Sequence, residues 1–440
     1  MRAALPLSPP ARQEHTESTM PIVPPTNSTD RADTTDPANL AAGLRAEASR
    51  LGFARVGITT AQAPPGHDRF RKWLAAGRAG VMTVWLARHE PLRADPASLL
   101  EGVRSIVMLA SDYSTRPPLE PASAADHAAP RGRGRVSRYA WGDDYHDLLR
   151  ARVNSLAGWL TARVPGSRGR GVVDSAPLAE RDFAWLAGLG WFGKNTMLIS
   201  PTAGSFFFLS AMLTDVVLPA DTPLETDHCG SCTACLEACP TGALVEPRLL
   251  DASRCISTLT IEDRGPITPE LRRGLGEWVF GCDICQDVCP WNRHAPLVGE
   301  SAFEPRLGEE TLDLAELLSL DEAAFRRRFA GSPLLRAKRH GLARSAAIAL
   351  GNVPHPPAAE ALAAALADPE PAVRGAAAWA LGRWITAGVR PGRAREALAA
   401  RLATEADATV RRELEQALQA HSPQVSSMSS SGMRPGKSSA

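Results

Sequence analysis

From Pro37 the apolar residues of NLAAGLRAEASRLGF recur at helical spacing as far as Gly52, and FARVGIT then reads as a strand. RSIVMLA and FFFLSAMLTDVVL are further strand candidates, and YHDLLRARVNSLAGWLTARV is an amphipathic helix. This alternation predicts an α/β or α+β catalytic domain over 37–220, with a Pro/Ala/Gly-rich surface loop between Ser114 and Arg135. Beyond residue 310 the pattern turns Ala/Leu-rich and helical. LARSAAIALGNV, AVRGAAAWALGRWI and TVRRELEQAL recur there at roughly 30–37 residues, which predicts HEAT-like helical repeats over 310–421. An ordinary Ala-rich helical bundle is the plainer alternative. Residues 1–36, rich in Pro, Thr, Ser and Asp, and the Ser-rich stretch 422–440 are expected to be disordered, and Met20 is an alternative start.

Composition narrows the class. A chain of 440 residues suggests two or three domains, and 44% hydrophobic with 22% charged residues is ordinary for a globular protein. The net charge of +1 gives no global argument for nucleic acid or membrane, so any polyanion site must be a local basic patch. No apolar run approaches the roughly 18 residues of a membrane span. The N-terminal apolar stretch is broken by Pro6, Pro9 and Pro10, unlike a secretory signal. A soluble, cytoplasmic protein with no membrane partner is expected. In that compartment thiols stay reduced, so clustered cysteines are better read as metal ligands than as disulfides.

All eight cysteines lie between Cys229 and Cys289, which marks 221–300 as a ferredoxin-like segment. CGSCTACLEACP sets Cys229, Cys232, Cys235 and Cys239 at C-x2-C-x2-C-x3-C-P, the bacterial ferredoxin run, whose fourth cysteine serves the other cluster. CDICQDVCP adds Cys282, Cys285 and Cys289, while Cys255 stands alone between the two groups. Eight thiolates suffice for two 4Fe–4S clusters. The exchange rule puts Cys229, Cys232, Cys235 and Cys289 on one cluster and Cys239, Cys255, Cys282 and Cys285 on the other. Zinc is the competing reading of any C-x2-C pair, but it rarely uses four-cysteine runs of this spacing followed by proline. Clusters carry single electrons, so a further group must hold the chemistry.

Several separate blocks in the same order make the chain resemble the epoxyqueuosine reductases, which are cobalamin-dependent enzymes of tRNA queuosine synthesis. They are WLARHEPLRADPASLL, SRYAWGDDYHDLLR, VVDSAPLAERDFAWLAGLGWFGKNTMLISPTAGSFFFL, the first cysteine run, RCISTLTIEDRGPI and GCDICQDVCPWNR. The resemblance spans roughly residues 40–385, far more than the cysteines alone. It implies a cobalamin-binding catalytic domain, a two-cluster ferredoxin-like domain and a HEAT-like C-terminal region. The implied reaction removes the epoxide oxygen of epoxyqueuosine at the wobble position of certain tRNA anticodons, with reduced cobalamin as reactive cofactor and the clusters feeding it electrons.

The resemblance makes Asp174 the proton donor, an acid that needs a raised pKa to be protonated near neutrality. The residues alone would read Asp174 as a cap on the helix that follows. Glu180 and Arg181 are expected to form a local ion pair in a supporting role. For cobalamin the resemblance points to Arg88, Ser257 and Arg264, with Tyr139, Tyr145 and His146 bordering the pocket and Asp174 itself against the cofactor. His146 is not a candidate cobalt ligand, because no D-x-H-x-x-G element is present. Gly190, Gly193, Lys194 and Asn195 lack the full phosphate-loop spacing and read as a tight turn beside the corrin, with Asn195 a cofactor contact.

The implied substrate is a tRNA carrying epoxyqueuosine in its anticodon stem-loop, which requires a local basic surface. Arg326, Arg327, Arg328, Arg336, Lys338, Arg339 and Arg344 supply one just before the repeats, although charge runs are commonly just solvated helix faces. A low-potential electron donor is the other partner, and a monomer is expected. Two rival functions remain. One is a corrinoid reductive dehalogenase, which usually carries an export signal and a tyrosine donor and lacks a HEAT-like tail. The other is a non-catalytic HEAT-type module with a ferredoxin insert.

Overall fold

The computed structural model describes residues 36–117, 129–306 and 310–420. The segments expected to be disordered, 1–36 up to its last residue and 422–440, lie outside the described residues, as does the centre of the 114–135 loop. Among the described residues no helix is long and apolar enough to cross a membrane.

The N-terminal half is built on a four-stranded sheet, in the order Arg55–Thr60, Ser105–Asp112, Phe207–Thr214, Gly169–Val172, with every pairing antiparallel. This makes it α+β rather than a parallel α/β sheet. The strand Ser105–Asp112 is buried along its whole length, because both faces of the sheet are covered. Val107 and Leu109 join Leu40 and Leu44 of the helix Pro37–Arg50 and Leu149, Val153 and Leu156 of the helix Tyr145–Arg163. Ile106 and Met108 point the opposite way, toward Phe183 and Leu186 of the short helix Glu180–Leu186. The period-two alternation of side chains divides one apolar run between two cores.

A second, three-stranded sheet ignores the domain boundaries expected at 220 and 300. Arg133–Val136 pairs in parallel with Trp278–Phe280 from the cysteine segment and antiparallel with Thr311–Asp313 from the start of the helical region. Gly281, just after the second of these strands, has φ +68°, and a Cβ there would stand 1.9 Å from the Ser137 hydroxyl, so only glycine lets the chains meet. One continuous core runs from Val136, Ile256 and Phe280 through Leu342 and Ile348 to Leu414.

Each of the three recurring Ala-rich motifs lies in one helix: Lys338–Asn352, Pro371–Thr386 and Ala408–Leu418. The first packs on the second and the second on the third. Their small residues permit close approach: a Cβ on Gly382 would lie 2.9 Å from Ala417. Lys338–Asn352 is buried nearly all round, which explains why its apolar residues do not form a single stripe. Trp384 is fully buried, and its indole N–H donates to the Leu350 carbonyl at 2.6 Å, tying the second motif helix to the first. Trp384→Ala is expected to destabilise this region by about 3–5 kcal/mol, read as a lower urea midpoint of the far-ultraviolet helical signal.

Candidate active site

Asp174 follows the edge strand Gly169–Val172 and adopts φ 51°, a left-handed conformation that a short polar residue tolerates. Its carboxylate does not cap the next helix. That helix begins at Glu180 behind Ala179, with no side-chain cap, so the capping alternative is discarded. Instead Asp174 Oδ2 accepts the Tyr145 hydroxyl at 2.8 Å and lies 3.3 Å from His146 Nε2. Both partners open the helix Tyr145–Arg163, whose cap Asp144 accepts the His146 amide and also holds His146 Nδ1 at 2.7 Å. Tyr145 stacks between His146, at 4.2 Å, and Phe208, at 4.1 Å. The turn is pinned from behind, because the Asp174 amide donates to Glu180 Oε1 at 2.8 Å. The Asp174 side chain is nevertheless 58% exposed, so the carboxylate is open to solvent.

The electrostatics differ from the sequence expectation. Hydrogen bonds from His146 and Tyr145 hold the Asp174 carboxyl below its ordinary value, although burial works the other way. Hydrogen bonds to Asp144 and then Asp174 raise His146 to about 9. Burial, then the charge on Asp174, pushes Glu180 up to about 8. At neutral pH the protons therefore sit on His146 and Glu180, and not on Asp174. Glu180 does not form the expected pair with Arg181, whose guanidinium donates to the Thr196 carbonyl at 2.5 Å. His146, read in the sequence as a pocket-bordering residue and set aside as a cobalt ligand, is the residue that linear reading undervalued. The available signal was the acidic pair just before it, Asp143 and Asp144.

The remaining candidates divide into groups. Tyr139 lies edge-on to Tyr145 at 6.2 Å, and the Asp174 charge helps raise its hydroxyl after burial. Arg336 faces Asp174 and Tyr139 across the mouth and pairs with Glu262 at 2.9 Å. Arg88 is exposed on the helix Thr83–Arg93, beside exposed Val84 and Trp85, while Arg93 at the end of that helix faces Glu180 and Asp174. Three others have donors already engaged by protein. Asn195 gives its amide to the Cys285 carbonyl at 3.2 Å, Ser257 hydrogen-bonds Cys255, and Arg264 spans the carbonyls of Ile261, Arg336 and Ala337. These three brace the cysteine centre and the pocket rim.

The cysteines form two sets. Cys289 is pushed up to about 11 by burial, with Cys229, Cys235 and Cys232 adding repulsion. Cys285 and Cys282 are raised by burial and by neighbouring Cys255, and Cys255 and Cys285 both feel Cys239. Cys235 also acts on Cys285, so the sets are adjacent. Among the described residues no three His, Cys, Asp or Glu side chains converge as they would around a single metal ion. Each set supplies the four thiolates that a cubane takes. The Ala243 amide donates to Cys239 Sγ at 3.3 Å, the kind of contact that tunes a cluster's potential. Within the first set Cys232 is exposed, whereas Cys289 is buried under the Trp191–Trp291 pair.

A buried cation joins the two centres. Arg138 bonds Asp287 at 2.7 Å and lies 3.5 Å from Asp283, while its amide donates to Asp283 at 2.8 Å. Both aspartates belong to CDICQDVCP, and Arg138 precedes Tyr139. The second cysteine run is thus anchored to the turn that sets Tyr139 against Tyr145. Truncating one member would strand the others without counter-charge.

Three family descriptions match parts of the chain: 4Fe-4S double cluster binding domain over 228–292, epoxyqueuosine reductase QueG, DUF1730 over 93–175, and HEAT repeats over 333–419. The epoxyqueuosine reductase of Pseudomonas aeruginosa is 43% identical over 355 residues, 80% of this chain and 97% of that one. That of Escherichia coli is 43% identical over 304 residues, 69% and 79% of the respective chains. A crystal structure of epoxyqueuosine reductase with an epoxyqueuosine-modified tRNA-Tyr stem loop superposes with TM-score 0.78 at 33% identity, covering 86% of this chain and 98% of that one. The Bacillus subtilis structure, with its catalytic aspartate loop swung out of the active site, gives 0.77 at 32%, covering 87% and 99%.

The thiol sets make a testable assignment. Cys255→Ala, purified without oxygen, is expected to drop from about eight to about four irons per chain. The spectrum of the remaining cluster should persist, as read by iron analysis and electron paramagnetic resonance.

Proposed function

The chain belongs to the epoxyqueuosine reductase family and reduces epoxyqueuosine to queuosine, and on that premise we propose that Asp174 supplies the proton to the epoxide oxygen of a tRNA-borne substrate. The observation that carries this reading is the Asp174 carboxylate, held on a left-handed turn by Tyr145, His146 and Glu180 at an open pocket mouth. Opening an epoxide by reduction leaves negative charge on oxygen, and an acid held at that atom removes it.

Two 4Fe–4S clusters and cobalamin are the cofactors. Cys229, Cys232, Cys235 and Cys289 hold one cluster, and Cys239, Cys255, Cys282 and Cys285 the other. Low-potential electrons delivered to the reacting carbon are what the bound cofactors supply. The pocket suits a corrinoid in its donor set: exposed Val84 and Trp85 offer apolar surface, and Arg88 offers directed N–H donors for the amide rim. Tyr139 and Asp174 border the same space, while Asn195, Ser257 and Arg264 support it indirectly through the contacts they already make.

The tRNA surface is narrower than the run of basic residues suggests. Arg339 is buried and pairs with Asp368 through two 2.8 Å bonds, and buried Arg344 donates to the Leu259 and Gly265 carbonyls. Both are structural, which corrects the expectation that they touch RNA. Arg328 leans toward Glu316 at 3.5 Å. Exposed Arg326, Arg327, Arg336 and Lys338 remain as phosphate contacts beside the pocket. The enzyme acts as a monomer in the cytoplasm, where tRNA is found and thiolates stay reduced, and a low-potential donor loads the clusters.

Asp174→Asn should cut anaerobic turnover of epoxyqueuosine-containing tRNA by roughly 10²-fold or more, with iron content and tRNA affinity retained. Undiminished turnover would remove Asp174 as the acid. Replacing Arg336 and Lys338 with alanine should weaken tRNA binding and lower its log–log salt slope by about one to two units, measured by fluorescence anisotropy across a salt series.

A further inference from the structure

Removing an epoxide oxygen as water consumes two protons and two electrons. The first proton goes to the oxygen freed when one C–O bond opens. The second converts the hydroxyl to water as the other C–O bond breaks and the carbon–carbon double bond forms. The two electrons come from the low-potential donor. One carboxyl carries one proton at a time, so Asp174 must be reloaded within a turnover while substrate blocks the pocket mouth.

Among the described residues, His146 stands behind Asp174 in position to do this. His146 bridges two carboxylates, Nδ1 lying 2.7 Å from Asp144 and Nε2 3.3 Å from Asp174. A neutral imidazole has only one N–H, so serving both acceptors as a donor takes the doubly protonated ring. The ring is clamped in this orientation by its stack on Tyr145, which is itself stacked on Phe208. The outer carboxylate, Asp144, is one-third exposed and so open to water on the side away from the pocket. We propose that His146 is the proton-supplying residue behind Asp174, filled from solvent by way of Asp144 and emptied through Nε2 onto the Asp174 carboxylate. The inference deepens the reading of Asp174 as the acid and rests on it.

This arrangement also accounts for an acid that is ionised in the open pocket. In the exposed state the imidazolium–carboxylate pair is the stable form. When substrate and cofactor exclude water, the charged pair loses solvation, and moving one proton from Nε2 to Asp174 leaves two neutral groups. The charged and titratable groups facing the relay hold both carboxylates ionised in the open state. Arg150 faces Asp144, Arg336 faces Asp174, Tyr145 donates to Asp174, and Glu180 holds the Asp174 turn from behind. His146 acts through Asp174, which makes it a positioning residue with a proton to give.

Two measurements test this. In the protein without cobalamin, nitrogen-detected NMR should show His146 titrating near pH 9, and at lower pH in both Asp144→Asn and Asp174→Asn. In the holoenzyme, turnover should fall as pH rises through that same range, since the proton is lost from His146 there. His146→Gln should lose roughly 10²-fold at neutral pH and regain part of it with added imidazole. Asp144→Asn, which keeps a helix cap and the ring stack, should move the alkaline limb to lower pH. Ordinary titration of His146 in the wild type, or an unchanged pH profile in both variants, overturns the relay. Turnover in Asp174→Asn at the wild-type rate overturns the acid assignment itself, a result distinct from a relay failure in which Asp174→Asn is inactive but His146→Gln is not.

Discussion

Each cubane needs four thiolates around it, and here the last cysteine of each run stands with the opposite set, Cys239 beside Cys255 and Cys289 beside Cys229. Two stretches of chain that begin 53 residues apart are thereby obliged to fold as one body. The rest of the molecule is arranged around this interleaving. The strand Trp278–Phe280, which leads into the second run, is the parallel partner of Arg133–Val136, and the same core continues into the helical repeats. The buried Arg138 then binds both aspartates of that run, so the cluster centre and the acid's pocket share one rigid wall.

The pocket stores protons away from the atom that uses them. Asp174 is kept charged by two donors, while the proton inventory at neutral pH is held one bond away on His146 and behind the turn on Glu180. On the proposed reading, Asp174 is inert in the open, solvated state and becomes competent only when water is excluded. That condition limits wasteful proton delivery to an unoccupied site, where strong reductant would otherwise meet an available acid.

The basic residues before the repeats illustrate how one sequence feature serves two ends. Arg339 and Arg344 turn inward and satisfy a carboxylate and backbone carbonyls, as a planar guanidinium does well when buried. Their neighbours Arg336 and Lys338 stay at the surface, with Arg336 facing Asp174. The HEAT-like helices are therefore continuous with the site, and their first turn forms part of its rim.

The chain's linear pattern determined the element types, the cluster chemistry and the family. Apolar spacing marked the helices Pro37–Arg50 and Tyr145–Arg163 and the central strands, and cysteine spacing alone pointed to iron–sulfur ligation. These are local properties, set by side-chain period and by the reach of a few residues. Tertiary structure decided that the central sheet is antiparallel, that a second sheet crosses the expected boundaries, and that Asp174 is a strained turn residue instead of a helix cap. It also decided which arginines are buried and where the protons rest. Those outcomes depend on groups brought together from distant positions, such as Asp174 with His146 and Arg344 with Leu259. A pKa or a burial is a property of surroundings, and linear order does not specify surroundings.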